Sequence, residues 1–133
     1  GVRADGRRLS RQTWAILPKV REVDAFMCSA SGITVREVHP ELSFRAWNNG
    51  RPMSHNKKKA AGRAEREALV RASYDEAYAA AGAALPSSRY AKDDLLDAFA
   101  ALWSAERLAR AEACILPAEP PVDAEGLRME MVI

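Results

Sequence analysis

Cysteine is scarce in this chain: Cys28 and Cys114 are the only two among 133 residues, and they stand far apart with no Cys-x-x-Cys and no Cys/His cluster. That argues against a zinc site or a disulfide framework and predicts buried free thiols in a reducing cytoplasm. No run of about 18 apolar residues is present, so no membrane span is predicted. Charge of one sign is also lacking. The net charge of +2 is too small to imply nucleic-acid binding by itself. There is no Gly-rich phosphate loop, no Gly-x-Ser-x-Gly elbow and no Cys/His nucleophile pair. The opening segment, Gly-Val-Arg-Ala-Asp-Gly-Arg-Arg, has no apolar core and does not read as a signal peptide. Internal repeats and sustained heptads are missing too.

What is present suits one compact domain, at 48% hydrophobic residues. Residues 1–9 are polar and are expected to be flexible. Ser10 is placed to cap a helix with an apolar stripe of Trp14, Ile16, Leu17, Val20, Val23 and Met27, in which Pro18 predicts a kink or a late start. Ile33 to Val38 reads as a short strand. Pro40 then starts a brief helix carrying Glu41, Leu42, Phe44 and Trp47. Asn48-Asn49-Gly50 is a turn. A basic run follows, with Arg51, Lys57, Lys58, Lys59, Arg63 and Arg66 against Glu65, leading into an Ala-rich helix of about 20 residues that ends near Gly82. Such runs are by default solvated faces, although they can track phosphates. A second long helix is expected at about 90–112, then a stiff connector over 116–121. A terminal strand over 127–133 would place Leu127, Met129, Met131 and Ile133 on one face.

The segment from Asp93 to Ala105 is the most distinctive. Asp94 and Asp97 are three apart, hence neighbours on a helix with Cβ atoms about 5–6 Å apart. Their face continues as Ala98, Ala101 and Ala105, while Leu95, Leu96, Phe99, Leu102 and Trp103 make the rest apolar, which predicts burial all round. Trp14, Trp47 and Trp103 are all expected in the core. Two like charges at the head of a buried helix need a cation or a special role. The alternative is capping, with Asp94 at the N-cap and Asp97 in the first turn. Glu37, on the short strand just before His39-Pro40-Glu41, would complete an acidic cluster, since ligands gather at the carboxyl ends of strands. Three or four carboxylates suit a two-metal site selecting Mg²⁺ or Mn²⁺.

Two visible strands are marginal as a sheet. The chain therefore reads as part of an α/β domain, mostly helical here with about two strands, whose other strands come from a missing N-terminal half or a partner chain. An exposed sheet edge of that kind also predicts a homo-oligomer.

The order of elements resembles the C-terminal part of a family of bacterial and archaeal proteins described as predicted RNase H-like nucleases. The resemblance rests on 12–24 (Gln12 to Asp24), on Val35-Arg36-Glu37-Val38-His39-Pro40-Glu41-Leu42-Ser43-Phe44, and on Lys57-Lys58 and Gly62-Arg63. It continues with 93–105 and 123–131. Asp94-x-x-Asp97-Ala98-x-Ala100 is also similar to the last acidic motif of Holliday-junction resolvases, which share that fold. The resemblance implies that residues 10–133 are the C-terminal part of one RNase H-like domain in a metal-dependent nuclease. It implies Glu37, Asp94 and Asp97 as catalytic metal ligands for Mg²⁺ or Mn²⁺, with Lys57, Lys58 and Arg63 as substrate contacts to nucleic acid. The family's essential first-strand Asp is not found in this sequence, so the site is expected to be incomplete here. A non-catalytic nucleic-acid or protein binding module on the same fold is the rival.

Overall fold

The computed structural model describes residues 10–29, 32–86, 88 and 90–133. The expected flexible segment 1–9 lies outside them. The residues fall into two units that divide between Val35 and Arg36.

The first unit holds helix α1, Arg11–Ser29. Ser10 caps it as expected: its Oγ accepts the Thr13 N–H at 3.0 Å, and its carbonyl accepts the Trp14 N–H at 2.9 Å. Pro18 neither delays nor ends the helix. It forfeits the one bond its missing N–H would have made to Trp14. The apolar stripe is present, yet no residue of α1 is buried and Trp14 is 58% exposed. Trp14 is therefore not a core residue. Among the described residues of its unit, α1 is a single helix with no second layer against which to bury that face.

The second unit runs β1 (Glu37–Val38), α2 (Pro40–Trp47), α3 (Ala60–Ala84), α4 (Lys92–Ala109), β2 (Ile115–Leu116) and β3 (Met131–Val132). With four helices among the described residues and a small mixed sheet, the fold is α/β and mostly helical. The sheet has three strands in the order β1-β3-β2, not two. β1 pairs parallel to β3, Glu37 with Met131 and Val38 with Val132; β2 pairs antiparallel, Ile115 with Val132 and Leu116 with Met131. Cys114 and Ile133 extend that ladder by exchanging backbone bonds of 2.7 and 2.9 Å. The expected strand over 33–38 thus shortens to its last two residues, and the start of the expected connector becomes β2.

The phase of the terminal strand is the reverse of the one its apolar pattern suggests. Val132 and Glu130 are buried, whereas Met129 is exposed and Met131 and Ile133 are half-buried. Glu130 tolerates burial because two guanidinium groups hold it, Arg36 at 2.9 Å and Arg128 at 2.7 Å. The thiols are another correction: Cys28 and Cys114 are exposed.

The core lies where α2, α3 and α4 meet. Phe44, Val70, Leu96, Phe99 and Ala100 are buried together, with Trp47, Met53, Leu69, Tyr74, Tyr78 and Leu95 packed against them. Each fully buried large side chain stabilises by roughly 1.5–3 kcal/mol. Trp47 stacks between Phe44 and Trp103, at centroid separations of 6.1 and 5.3 Å. Beneath them the Ser104 and Ser43 hydroxyls bond at 2.8 Å, so the two polar groups buried between α2 and α4 satisfy each other. α3 carries one non-helical residue, Tyr74, and passes the expected end at Gly82 to reach Ala84.

Helix α4 is buried on one side only. Leu96, Phe99, Ala100 and Ser104 face the core, but Ala98 and Ala105 are exposed and Leu102 is 41% exposed. Apolar composition all round does not bury a helix that has packing partners, α2 and α3, on one side. Among the described residues no helix is long and apolar enough to cross a membrane.

Candidate functional site

The site is built on the first two turns of three helices and on the basic loop between α2 and α3. Asp97, expected in the first turn of α4, stands in its second because the helix starts at Lys92. Pro40 starts α2 immediately after β1, which puts Glu41 in the first turn, where a carboxylate is favoured by the helix dipole. α3 begins after the loop, and the loop backbone lies directly on it. A Cβ at Gly62 would sit 2.1 Å from the Asn56 carbonyl oxygen and 2.9 Å from that of His55. Only glycine allows this approach.

One turn further along α3, Arg66 is 3% exposed. Its fork bonds both oxygens of Glu41, at 3.0 and 2.5 Å, and donates to the carbonyls of His55 at 3.1 Å and Gly62 at 2.7 Å. Phe44 lies under it, 5.7 Å from ring centroid to guanidinium. Four acceptors and an aromatic face are the conditions under which a guanidinium can be buried. Arg66 is therefore not part of a solvated basic face. Glu65, on the same helix, accepts the loop N–H groups of Ser54 at 2.7 Å and His55 at 3.1 Å.

These anchors present Lys57 to α4. Its ammonium donates to Asp97 Oδ2 at 2.9 Å. That bond raises the lysine pKa above its ordinary 10.5, against partial burial, and the charges of Asp97, Glu41 and Asp93 add to the rise. Asp97 Oδ1 is buried and has no hydrogen-bond partner among the described residues. Such an acceptor is costly to leave unmatched.

Asp94 has a different task. The N-cap of α4 is Ala91, which has no polar side chain, and Asp94 Oδ2 accepts the Ala91 N–H at 2.8 Å. This is the returning half of a capping box: the cap expected at Asp94 falls at Ala91, three residues earlier, and Asp94 is the N3 residue. Glu37 is exposed on β1. Among the described residues no three His, Cys, Asp or Glu side chains group closely enough to hold a metal ion, so Glu37, Asp94 and Asp97 do not converge on one centre. Asp97 Oδ1 is one open oxygen, and a divalent cation needs several. The described residues by themselves do not form the two-metal site that the resemblance implies.

The expected phosphate contacts also separate. Lys57 is engaged by Asp97; Lys58 is exposed; Arg63 donates to the Lys58 carbonyl at 3.2 Å and lines a cleft between α3 and α4. Reading the sequence missed the Glu41–Arg66 pair and Asp93. The available signals were an acid directly after a helix-starting proline and an arginine one turn after a glycine.

A family model matches residues 1–122, and its description is a protein of unknown function, DUF429. The chain belongs to that family. The DUF429 match spans α1 to β2 and so includes every residue of the site just described. No curated protein and no solved structure matches the chain at a significant level.

Proposed function

We propose that this chain is part of a metal-dependent nuclease of the RNase H-like class and contributes the Asp97–Lys57 pair to a phosphodiester site. The single observation that carries the reading is the buried, unpartnered Asp97 Oδ1 beside an ammonium that already sits on Oδ2. A buried oxygen left open beside a single cation is what a site awaiting a further positive group requires. In this reading Lys57 exchanges Asp97 for a phosphate oxygen when nucleic acid binds, which places its charge against the ester. Mg²⁺ or Mn²⁺ would supply water activation and charge neutralisation when bound. The remaining carboxylates come from outside the described residues, in a missing N-terminal half or a partner chain. Glu37 and Asp94, which do not converge with Asp97 among the described residues, are left out of the proposed ligand set. A cytoplasmic location and self-association through the sheet edges belong to the same reading.

The second reading, a nucleic-acid binding module without cleavage, is favoured by one observation: Lys57 already compensates the Asp97 charge without a metal. Thermal melts with Mn²⁺ and a cleavage assay, on native chain and on Asp97→Asn, separate the two. The nuclease reading expects a metal-induced rise in Tm, about 2.7 kcal/mol at 100 times the Kd, that Asp97→Asn removes. Metal-dependent cleavage should follow once the completing chain is supplied. Nucleic-acid binding that ignores both metal and Asp97→Asn would favour the module.

A further inference from the structure

Between α3 and the start of α4 lies a cleft of about 420 Å³ that the site above does not use. Its volume falls within the roughly 300–1,000 Å³ of small-ligand sites. Its floor is apolar, from Leu95 and Leu96, and its charged groups are unevenly matched. Arg71 is spoken for: Glu67 accepts its Nε–H at 2.8 Å, Asp75 accepts from Nη1 at 2.7 Å, and its guanidinium lies 4.9 Å from the Tyr78 ring centroid. Glu67 is balanced by the same contact. Two cations remain. Lys92, in the first turn of α4, makes no ion pair among the described residues, and Arg63 spends one N–H on the Lys58 carbonyl.

Two unmatched cations at the rim call for an anion. An inorganic anion would leave most of the volume and the apolar floor unfilled. Tyr90, half-buried on the wall, offers a ring to a flat partner, whereas one side of Tyr78 is already covered by Arg71. We propose that this cleft binds a nucleotide unit, its phosphate on Lys92 and Arg63 and its base against Tyr90 over the leucine floor. The unit comes either from a free mononucleotide or from a strand. The inference does not depend on Asp97 or on any metal, so it stands or falls apart from the nuclease reading.

Calorimetry on the native chain in metal-free buffer tests it, with adenosine 5′-monophosphate, adenosine, inorganic phosphate and a short 5′-phosphorylated single strand as probes. The monophosphate should bind one per chain. Adenosine and phosphate should each bind at least about tenfold more weakly, because each loses one half of the contacts. Lys92→Glu and Tyr90→Ala should each weaken the monophosphate about tenfold, while Arg51→Glu, exposed and outside the cleft, leaves it unchanged. A strand binding more tightly than the monophosphate identifies a strand as the source; equal or weaker strand binding identifies the free nucleotide. Absence of monophosphate binding, indifference to both cleft variants, or an equal loss in Arg51→Glu overturns the proposal.

Discussion

Lys57 and Asp97, 40 positions apart in sequence, meet through one ammonium–carboxylate bond of 2.9 Å that joins the basic loop to α4. The loop itself is held by α3, through Gly62, Glu65 and Arg66. Each of these contacts can be weakened separately.

The Lys57 bond gives a pH signature. Its pKa is raised in the folded chain above the ordinary 10.5 by the bond to Asp97. The stabilisation is therefore complete below that value and is lost as pH rises through the folded pKa. Lys57→Met should melt below the native chain at neutral pH by the worth of a partly exposed pair, about 1 kcal/mol or less. The gap should begin to close above pH 10.5 and vanish once the pH has passed the raised folded pKa. A gap that persists unchanged there would assign the loss to packing.

Tyr74 should add a second alkaline transition. Burial, then its bond to Glu106 at 2.9 Å, pushes its phenol from 10.0 up to about 12. A raised pKa favours the protonated form in the folded state, so stability falls between those two values. Tyr74→Phe should flatten this part of the profile, and ultraviolet titration of phenolate in the native chain should show a late ionisation from Tyr74, beside that of Tyr78, which burial also raises.

Gly62→Ala should destabilise by about 2–3 kcal/mol, the cost of forcing backbone apart in a packed region. The new methyl would meet the Asn56 carbonyl at 2.1 Å, and no side-chain rotation relieves a clash with backbone. Urea unfolding measures the loss. Gly82→Ala is the control, since nothing lies within 4 Å of a Cβ there, and it should be neutral or slightly stabilising.

Arg66→Met should cost about 3–5 kcal/mol, because it strands the Glu41 carboxylate and the His55 loop carbonyl. Arg66→Lys keeps the charge but loses the planar fork, and should recover only part of the loss. Denaturation of both variants, with Glu41→Gln as the reciprocal removal, checks this. Equal stability of Arg66→Lys and the native chain would remove the argument from fork geometry.

Local signals were legible. The Ser10 cap, the Pro40 start of α2 and the Asn-Asn-Gly turn each depend on a few adjacent residues, and the turn has the positive φ that its composition demands at Asn49 and Gly50. Long-range pairing was not. The phase of β3 depends on Arg36 meeting Glu130, and apolar alternation says nothing about a buried glutamate with two guanidinium partners. β2 is too short to show any period. In the candidate site, Asp97 was recognised as unusual, but its partner lies in a charge run that resembles a solvated surface. Capping, one of the two readings open for Asp94, is what its carboxylate does.

The Glu65 contacts give the basic loop an acid-labile latch. Its carboxylate accepts the Ser54 and His55 amides, and these bonds lower its pKa below the ordinary 4.5. A depressed pKa means the latch is fully closed above that value and opens as pH falls through the folded one. Amide hydrogens of Ser54 and His55 should thus exchange slowly for a surface loop at neutral pH. In acid they should lose that protection before the α3 amides do. The segment presenting Lys57 would then come undone while the helices beneath it stay folded.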